Sequence, residues 1–328
     1  MAETFLVVGG AGYIGSVITE QIVASGRQAV VLDNLSRGHR AAVHPQARLI
    51  VADLADPSAL AEIFAEVQPD AVLHFGALSQ VGESVVKPLE YYQANVGNGI
   101  NLLHAMRDGD VKRLVFSSTA AIFGNGYSRA IAESDPSSPI NPYGRTKWMF
   151  EQILQDCDAA WGLKSVCLRY FNAAGASQRF GEDHRPESHL IPLALLAARS
   201  AAPPLTIFGD DYPTSDGTCI RDYIHVEDLA SAHLLALDHL MANGESRQYN
   251  LGNGGGYSVR QVIETAAKVT GMEVPHKTGP QRPGDPAILL AASNRIQTEL
   301  GWKPKKPELQ TIITDAWQWM QKNPEGYR

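Results

Sequence analysis

Glycines 9, 12 and 15 stand directly after the apolar run 5–8 and directly before a helix-like stretch over 14–25. No other feature restricts this chain as much. In Gly9-Gly10-Ala11-Gly12-Tyr13-Ile14-Gly15 one glycine permits a tight turn, the next lets the backbone approach a pyrophosphate, and the third lets helix and strand pack closely. The N–H groups of the helix start then point at phosphates. Asp33 closes the following apolar run, at the spacing of about 20 residues where a carboxylate accepts ribose hydroxyls and repels a 2′-phosphate. The segment therefore predicts a dinucleotide site that favours NAD over NADP. Arg37 and Arg40 nearby leave NADP as the lesser alternative. Asp53-Leu54, after the third run, reads either as an adenine-side contact or as a turn carboxylate.

What surrounds the loop fits the same plan. Residues 5–8, 29–32, 48–51, 71–75, 114–117 and 165–169 read as strands. They are apolar almost throughout rather than alternating, which suits a parallel sheet covered on both faces. Helix-length stretches over 58–67 and 96–109 lie between them. The order predicts an α/β fold, a doubly wound parallel (Rossmann) sheet with a smaller, loop-rich C-terminal domain. Residues 1–172 are expected to form the dinucleotide domain and 173–328 the substrate domain, with some segments returning to the first. Helices are expected over 259–270 and 309–321 in that second half.

Tyr143 and Lys147 follow Asn141-Pro142, a helix start with an N-cap and a first-turn proline. Their spacing puts both side chains on one helix face. A free phenol, with pKa about 10, is a poor base at neutral pH. An adjacent ammonium favours the phenolate and lowers that value, so the pair is able to move a proton at a substrate hydroxyl. Such spacing arises by chance; the order of motifs is what discriminates. The glycine loop comes first, then a strand ending Phe116-Ser117-Ser118-Thr119, then Tyr143 and Lys147. Thr119 falls at the carboxyl edge of the sheet, where ligands bind in such folds, ready to share that hydroxyl.

These residues resemble the extended short-chain dehydrogenase/reductase family, in particular its branch of UDP-glucose 4-epimerases. The resemblance runs along essentially the whole chain. It is carried by Leu32-Asp33-Asn34-Leu35, Pro88-Leu89-Glu90-Tyr91-Tyr92, Asn141-Pro142-Tyr143-Gly144 and Arg169-Tyr170-Phe171-Asn172. Most specific are Arg221-Asp222-Tyr223-Ile224-His225-Val226 and, upstream, Phe208-Gly209-Asp210-Asp211-Tyr212-Pro213. The resemblance implies Tyr143 as acid/base, Lys147 as its modulator and a ribose ligand, and Thr119 as hydroxyl partner. It implies an NAD site of Gly9, Gly12, Tyr13, Ile14, Gly15, Asp33, Asn34, Ser36, Gly38, Asp53, Leu54, Phe75, Gly76, Ala77, Asn95, Ser117 and Phe171, with Tyr143 and Lys147. It implies that Asn172, His189, Leu190, Ile207, Phe208, Arg221, Arg282 and Asp285 hold a UDP-sugar beside Thr119 and Tyr143. Guanidinium suits a diphosphate, which agrees for Arg221 and Arg282. The implied reaction interconverts UDP-galactose and UDP-glucose through a 4-keto sugar, with NAD regenerated each cycle.

The chain departs from its relatives at several places. Val8 stands where many have Thr, Phe123 where Tyr is common, Thr119 where Ser is frequent, and Ser79 where some have Lys. Ile288 falls near a position that helps set sugar size, and its intermediate bulk leaves N-acetylated sugars as an alternative, while UDP-pentoses stay open because the same Tyr/Lys pair would serve them. Dehydratases of this type need an acid pair after the Thr, and sugar-acid decarboxylases a Glu at the second place. Here Ala120-Ala121 follows Thr119, so both chemistries are disfavoured. A non-catalytic NAD sensor, the rival from another class, has no need of the Tyr/Lys pair.

A net charge of −7, with no Lys/Arg arm, argues against nucleic acid and anionic membrane as partners. The run 5–8 is too short for a signal segment or a span. Cys157, Cys167 and Cys219 are odd in number and widely spaced, which predicts reduced thiols and a cytoplasmic protein. His184 and His189 invite a metal site, but no ligand-type cluster of Cys or carboxylate is evident beside them, and no metal is expected. Relatives are often dimers through two helices of the sheet domain, here those beginning near Val96 and Tyr143.

Overall fold

The computed structural model describes residues 3–127, 129–282 and 285–327. β1 (Thr4–Val8) and β2 (Gln28–Asp33) flank α1 (Tyr13–Ala24), and β3 (Arg48–Val51), α2 (Pro57–Val67) and β4 (Ala71–His74) follow. Next come α3 (Val81–Val86), α4 (Pro88–Tyr92), α5 (Asn98–Asp108), β5 (Arg113–Ser117), the long α6 (Pro142–Trp161) and β6 (Lys164–Tyr170). β7 (Asn172–Ala174), α7 (Leu190–Ala198), β8 (Leu205–Phe208), β9 (Ile220–Arg221) and β10 (Tyr223–His225) break that rhythm, before α8 (Val226–Met241) and β11 (Arg247–Leu251) resume it. The chain closes with β12 (Tyr257–Ser258), α9 (Val259–Thr270), β13 (His276–Gly279), β14 (Ile288–Leu289), α10 (Asn294–Leu300) and α11 (Leu309–Lys322).

One seven-stranded sheet runs β11-β6-β5-β4-β1-β2-β3, every neighbour parallel. The apolar runs explain it. In β1, Phe5 and Val7 face a core shared with α1 and α8, while Leu6 and Val8 face one shared with α2, α5 and α6. Because successive strand side chains alternate faces, burying both faces requires every position to be apolar. Each aliphatic side chain fully buried this way contributes roughly 1.5–3 kcal/mol. The seventh strand comes from the second half of the chain: β11 pairs with β6, and α8 covers that side.

A third core joins α7, α9 and α11 to β8 and β10. It forms a second lobe carrying the small ladders β12-β9-β14, β13-β8 and β10-β7. The order reverses between β1 and β4, so the carboxyl ends of these two strands open a crevice. The second lobe walls that crevice. Among the described residues no helix is long and apolar enough to cross a membrane, and all three cysteines are free.

Candidate active site

The crevice is a cleft of about 1060 Å³. At one end the loop after β1 turns through Gly9 at φ +78°, a left-handed conformation that favours glycine. A Cβ on Gly15 would lie 2.3 Å from the Gly9 carbonyl oxygen, so α1 reaches the strand only because Gly15 has none. A Cβ on Gly12 would meet nothing closer than 3.4 Å, because Gly12 faces the cleft. A phosphate therefore has an open backbone cradle at the start of α1. Asp33 holds the loop in place: one carboxylate oxygen accepts the Ala11 N–H at 3.0 Å and the other the Leu35 N–H at 2.8 Å. Burial raises its pKa above the usual range. Each oxygen keeps a lone pair for a ribose hydroxyl.

The adenine end is built by side chains that fix each other. Asn34 donates to Asp53 at 2.8 Å and accepts from the Ser36 hydroxyl at 2.7 Å. Asp53 also accepts the Ala55 N–H at 2.8 Å, so it is both a turn carboxylate and a cleft residue. Leu54, Phe75, Gly76, Ala77, Tyr13, Ile14 and Gly38 line the same wall. Arg37 is ion-paired to Glu83 at 3.0 Å, which weakens the NADP alternative by occupying its charge. Asn95 does not reach the cleft wall. Its amide is spent behind it, accepting the Leu78 N–H at 2.8 Å and donating to the Leu78 carbonyl and Thr146. A π-helical turn over Gln93–Gly97 puts it there, a local irregularity that neither propensity nor spacing announces.

The cleft's middle holds the reacting groups. Asn141 caps α6 by accepting the Gly144 N–H at 2.8 Å, and Pro142 occupies the first turn. That start aims Tyr143 and Lys147 into the cleft, where Thr119, Ser117 and Phe171 join them. The Thr119 side chain faces the Tyr143 phenol in the cleft and favours its ionised form against burial. Lys147 Nζ donates to the Ser117 carbonyl at 2.8 Å and sits 4.7 Å from the Phe116 ring centre. Enclosure pushes Tyr143 up to about 12, against the opposing effect of Thr119. Burial likewise lowers Lys147 to about 7, with Glu151 resisting. Behind Lys147, burial first and its charge second hold His74 down to about 3, so that ring is neutral.

Glu151, one turn beyond Lys147, is a residue the sequence reading passed over. Its side chain is fully buried, bonded to the Ser118 hydroxyl at the end of β5 and to Arg169 on β6, with Nε at 3.0 Å and Nη2 at 2.5 Å. The catalytic helix is thus pinned to two strands by one carboxylate.

At the far end Asn172, His189, Arg221 and Arg282 line the cleft. Arg282 lies 3.9 Å above the Phe208 ring, and Arg221 is ion-paired to Asp285. Phe208 and Asp285 therefore orient the arginines without lining the cleft. Ile207 is buried in the third core and Leu190 opens α7; neither lines the cleft. β14 pairs with β9, and Leu289, the neighbour of Ile288, lines the cleft, because neighbours on a strand point to opposite sides. Finally, the absence of a carboxylate cluster beside His184 and His189 is corrected: Glu182 and Glu187 converge on both rings.

The model of the NAD dependent epimerase/dehydratase family matches residues 5–252. The chain is 51% identical to a UDP-glucose 4-epimerase of Halalkalibacterium halodurans, over 98% of this chain and 97% of that protein. A crystal structure of a UDP-glucose 4-epimerase superposes with TM-score 0.98 at 46% identity, covering 99% of this chain and 100% of that one. The Brucella ovis UDP-glucose 4-epimerase, solved in complex with NAD, gives TM-score 0.95 at 44% identity, covering 97% and 98%. By full-length likeness in sequence and structure, this chain belongs to the UDP-glucose 4-epimerases of the NAD dependent epimerase/dehydratase family.

Proposed function

We propose that this chain interconverts UDP-galactose and UDP-glucose by oxidising the sugar at C4 and reducing it again from the opposite face. The observation that carries this reading is that Thr119 and Tyr143 meet in the middle of the cleft, with the Gly12 cradle to one side and Arg221 and Arg282 to the other. The Gly12 cradle and Asp33 would hold NAD, which would supply the chemistry the side chains lack, reversible acceptance of a hydride from C4.

The side chains handle the proton. Tyr143 removes the 4-hydroxyl proton as the C4–H bond breaks and returns it when that bond re-forms, so no net proton leaves. Thr119 bridges the sugar hydroxyl and the phenol. Lys147 stays close to Tyr143 on the same helix face, and its pKa of about 7 leaves it able to carry either charge state near neutral pH. Arg221, Arg282 and His189 hold the diphosphate; the carboxylates of Glu182 and Glu187 outweigh burial and keep the His189 pKa above its usual value. No carboxylate follows Thr119, since Ala120 is buried and Ala121 lines the cleft, which tells against dehydration.

A UDP-N-acetylhexosamine or UDP-pentose is the alternative substrate, because Leu289 is intermediate in bulk. We infer a homodimer through α5 and α6, whose exposed faces carry Ile100 and Met149. The buried, unpaired thiols of Cys167 and Cys219 suit a reducing cytoplasm.

The test is to incubate the purified protein with UDP-galactose and follow UDP-glucose by chromatography, with Tyr143→Phe alongside. Conversion without net NADH, lost in the variant, supports the reading. No conversion with NAD added, while UDP-xylose or UDP-N-acetylglucosamine turns over, transfers the assignment to that sugar; silence with all of them favours a sensor.

A further inference from the structure

The segment between β7 and α7 carries Glu182, His184, Glu187 and His189, and it folds so that one ligand atom from each lies within 4.8 Å of all the others. The His184 Nδ1 is 3.0 Å from Glu182 Oε1, the His189 Nδ1 is 2.6 Å from the same oxygen, and the His189 Nδ1 is 2.9 Å from Glu187 Oε1. Both carboxylates are nearly covered, with side-chain exposures of 7% and 10%, while His189 remains 40% exposed toward the cleft. Two acid groups taken out of water demand a counter-charge. Among the described residues neither carboxylate forms an ion pair with Lys or Arg; neighbouring Arg185 is engaged by Asp183.

A second group of similar composition shows the contrast. His225, Glu227 and Asp315 also converge, but Lys306 Nζ already stands between the carboxylates, at 2.5 Å from Glu227 and 2.7 Å from Asp315. There the cation is built into the chain. Around Glu182 no Lys or Arg does this among the described residues; the counter-charge is a proton on the imidazoles, which a divalent ion is able to displace.

We propose that Glu182, His184, Glu187 and His189 form a binding site for one divalent first-row transition ion, of which zinc is the representative. Two neutral imidazoles and two carboxylates give a neutral site with a doubly charged ion, a donor set that suits zinc and its neighbours rather than magnesium or calcium. Metal–ligand bonds of about 2.1 Å in a tetrahedron place ligand atoms about 3.4 Å apart. Three of the six spacings, at 2.6–3.0 Å, open by under 1 Å to reach this, and the others already lie within 4.8 Å. The ion fixes the cleft wall. It ties His189, which precedes α7, to the segment whose His184 ring packs edge-on to Tyr13 of the dinucleotide loop and whose Asp183 faces His39.

The test uses untagged full-length protein with its bound dinucleotide retained. After chelator treatment and desalting, the protein is titrated with Zn²⁺, Mn²⁺ and Ni²⁺ by calorimetry, and retained metal is measured by mass spectrometry. One equivalent of zinc per chain is expected, with a zinc-dependent rise in melting temperature. His184→Asn and Glu182→Gln should each weaken zinc binding at least tenfold and abolish that rise. Glu227→Gln should keep the full equivalent. Circular dichroism checks that each variant is folded, and the two disruptive variants fail independently. No stoichiometric uptake of any of the three metals by the wild type overturns the proposal and leaves a proton-bearing ion-pair network in its place. Undiminished uptake by both folded variants overturns it as well, by putting the metal elsewhere.

Discussion

Removing Glu151 tests how the catalytic helix is held. The Glu151 carboxylate is fully buried, and Arg169 is 9% exposed and lies 5.4 Å from the Phe123 ring. Glu151→Ala leaves that guanidinium buried without its partner and deprives the Ser118 hydroxyl of its acceptor. Breaking a buried pair on one side costs about 3–5 kcal/mol. Against a total stability of about 5–15 kcal/mol this is a large fraction, and for a chain of this size it lowers the melting temperature by roughly 5–10 °C. The double variant Glu151→Leu/Arg169→Met removes both charges and fills similar space, so most of the loss should return. Equilibrium urea unfolding of the wild type, the two singles and the double measures the coupling. A single-variant loss below about 1 kcal/mol, or a double variant as unstable as the two singles summed, refutes the view that this pair pins α6.

Further outcomes follow from the same structure. Tyr143→Phe should lower the epimerisation rate about 10²–10⁴-fold while leaving nucleotide binding measurable by calorimetry. Burial depresses Lys147 from 10.5 to about 7; between these values the unfolded chain carries a proton that the native one lacks, so stability of the dinucleotide-free protein rises with pH across that window. Lys147→Met should flatten the rise, as read by urea unfolding from pH 7 to 10. Leu289→Tyr should reduce activity on UDP-N-acetylglucosamine relative to UDP-glucose, seen as a fall in the kcat/KM ratio; an unchanged ratio removes Leu289 from the size-setting role. Ile100→Glu with Met149→Glu should convert a dimer to monomer in light scattering, because two charges would then sit on a face that the proposed partner covers.

The sheet was legible because its chemistry is local. Three or four apolar positions in a row leave little but a strand buried on both faces, and β1, β2, β4, β5 and β6 carry such runs. β11 was not legible. Arg-Gln-Tyr-Asn-Leu is a mixed run at a sheet edge, and its place beside β6 depends on contacts some 80 residues away. The glycine loop and the Tyr143–Lys147 pair could be read because spacing alone aims their side chains. Glu151 was passed over because a charged residue on an amphipathic helix ordinarily faces water. Glu182 and Glu187 were passed over because their convergence is made by a loop, and no period governs a loop. Which of Ile288 and Leu289 lines the cleft could not be read, because in a two-residue strand a single step exchanges the inward and outward faces.

The distribution of polar groups along the cleft bears on how one pocket serves both faces of a sugar. At the diphosphate end, Arg221 and Arg282 are themselves fixed, one by Asp285 and the other by the Phe208 ring, so charge is presented in set positions. At the dinucleotide end, Asp33, Asn34 and Asp53 are likewise locked by their own hydrogen bonds. Between them the wall changes character. Ala121 and Leu289 offer no hydrogen bond, and Thr119 and Tyr143 converge on a single point. On the proposed reading, a sugar held there is directed at its C4 oxygen and little restrained elsewhere. A 4-keto ring able to present either face needs that imbalance: added directional bonds along the middle wall would favour one face and slow return to the other. Strengthening the grip on the diphosphate costs nothing of this kind, because the phosphates keep their place whichever way the ring turns.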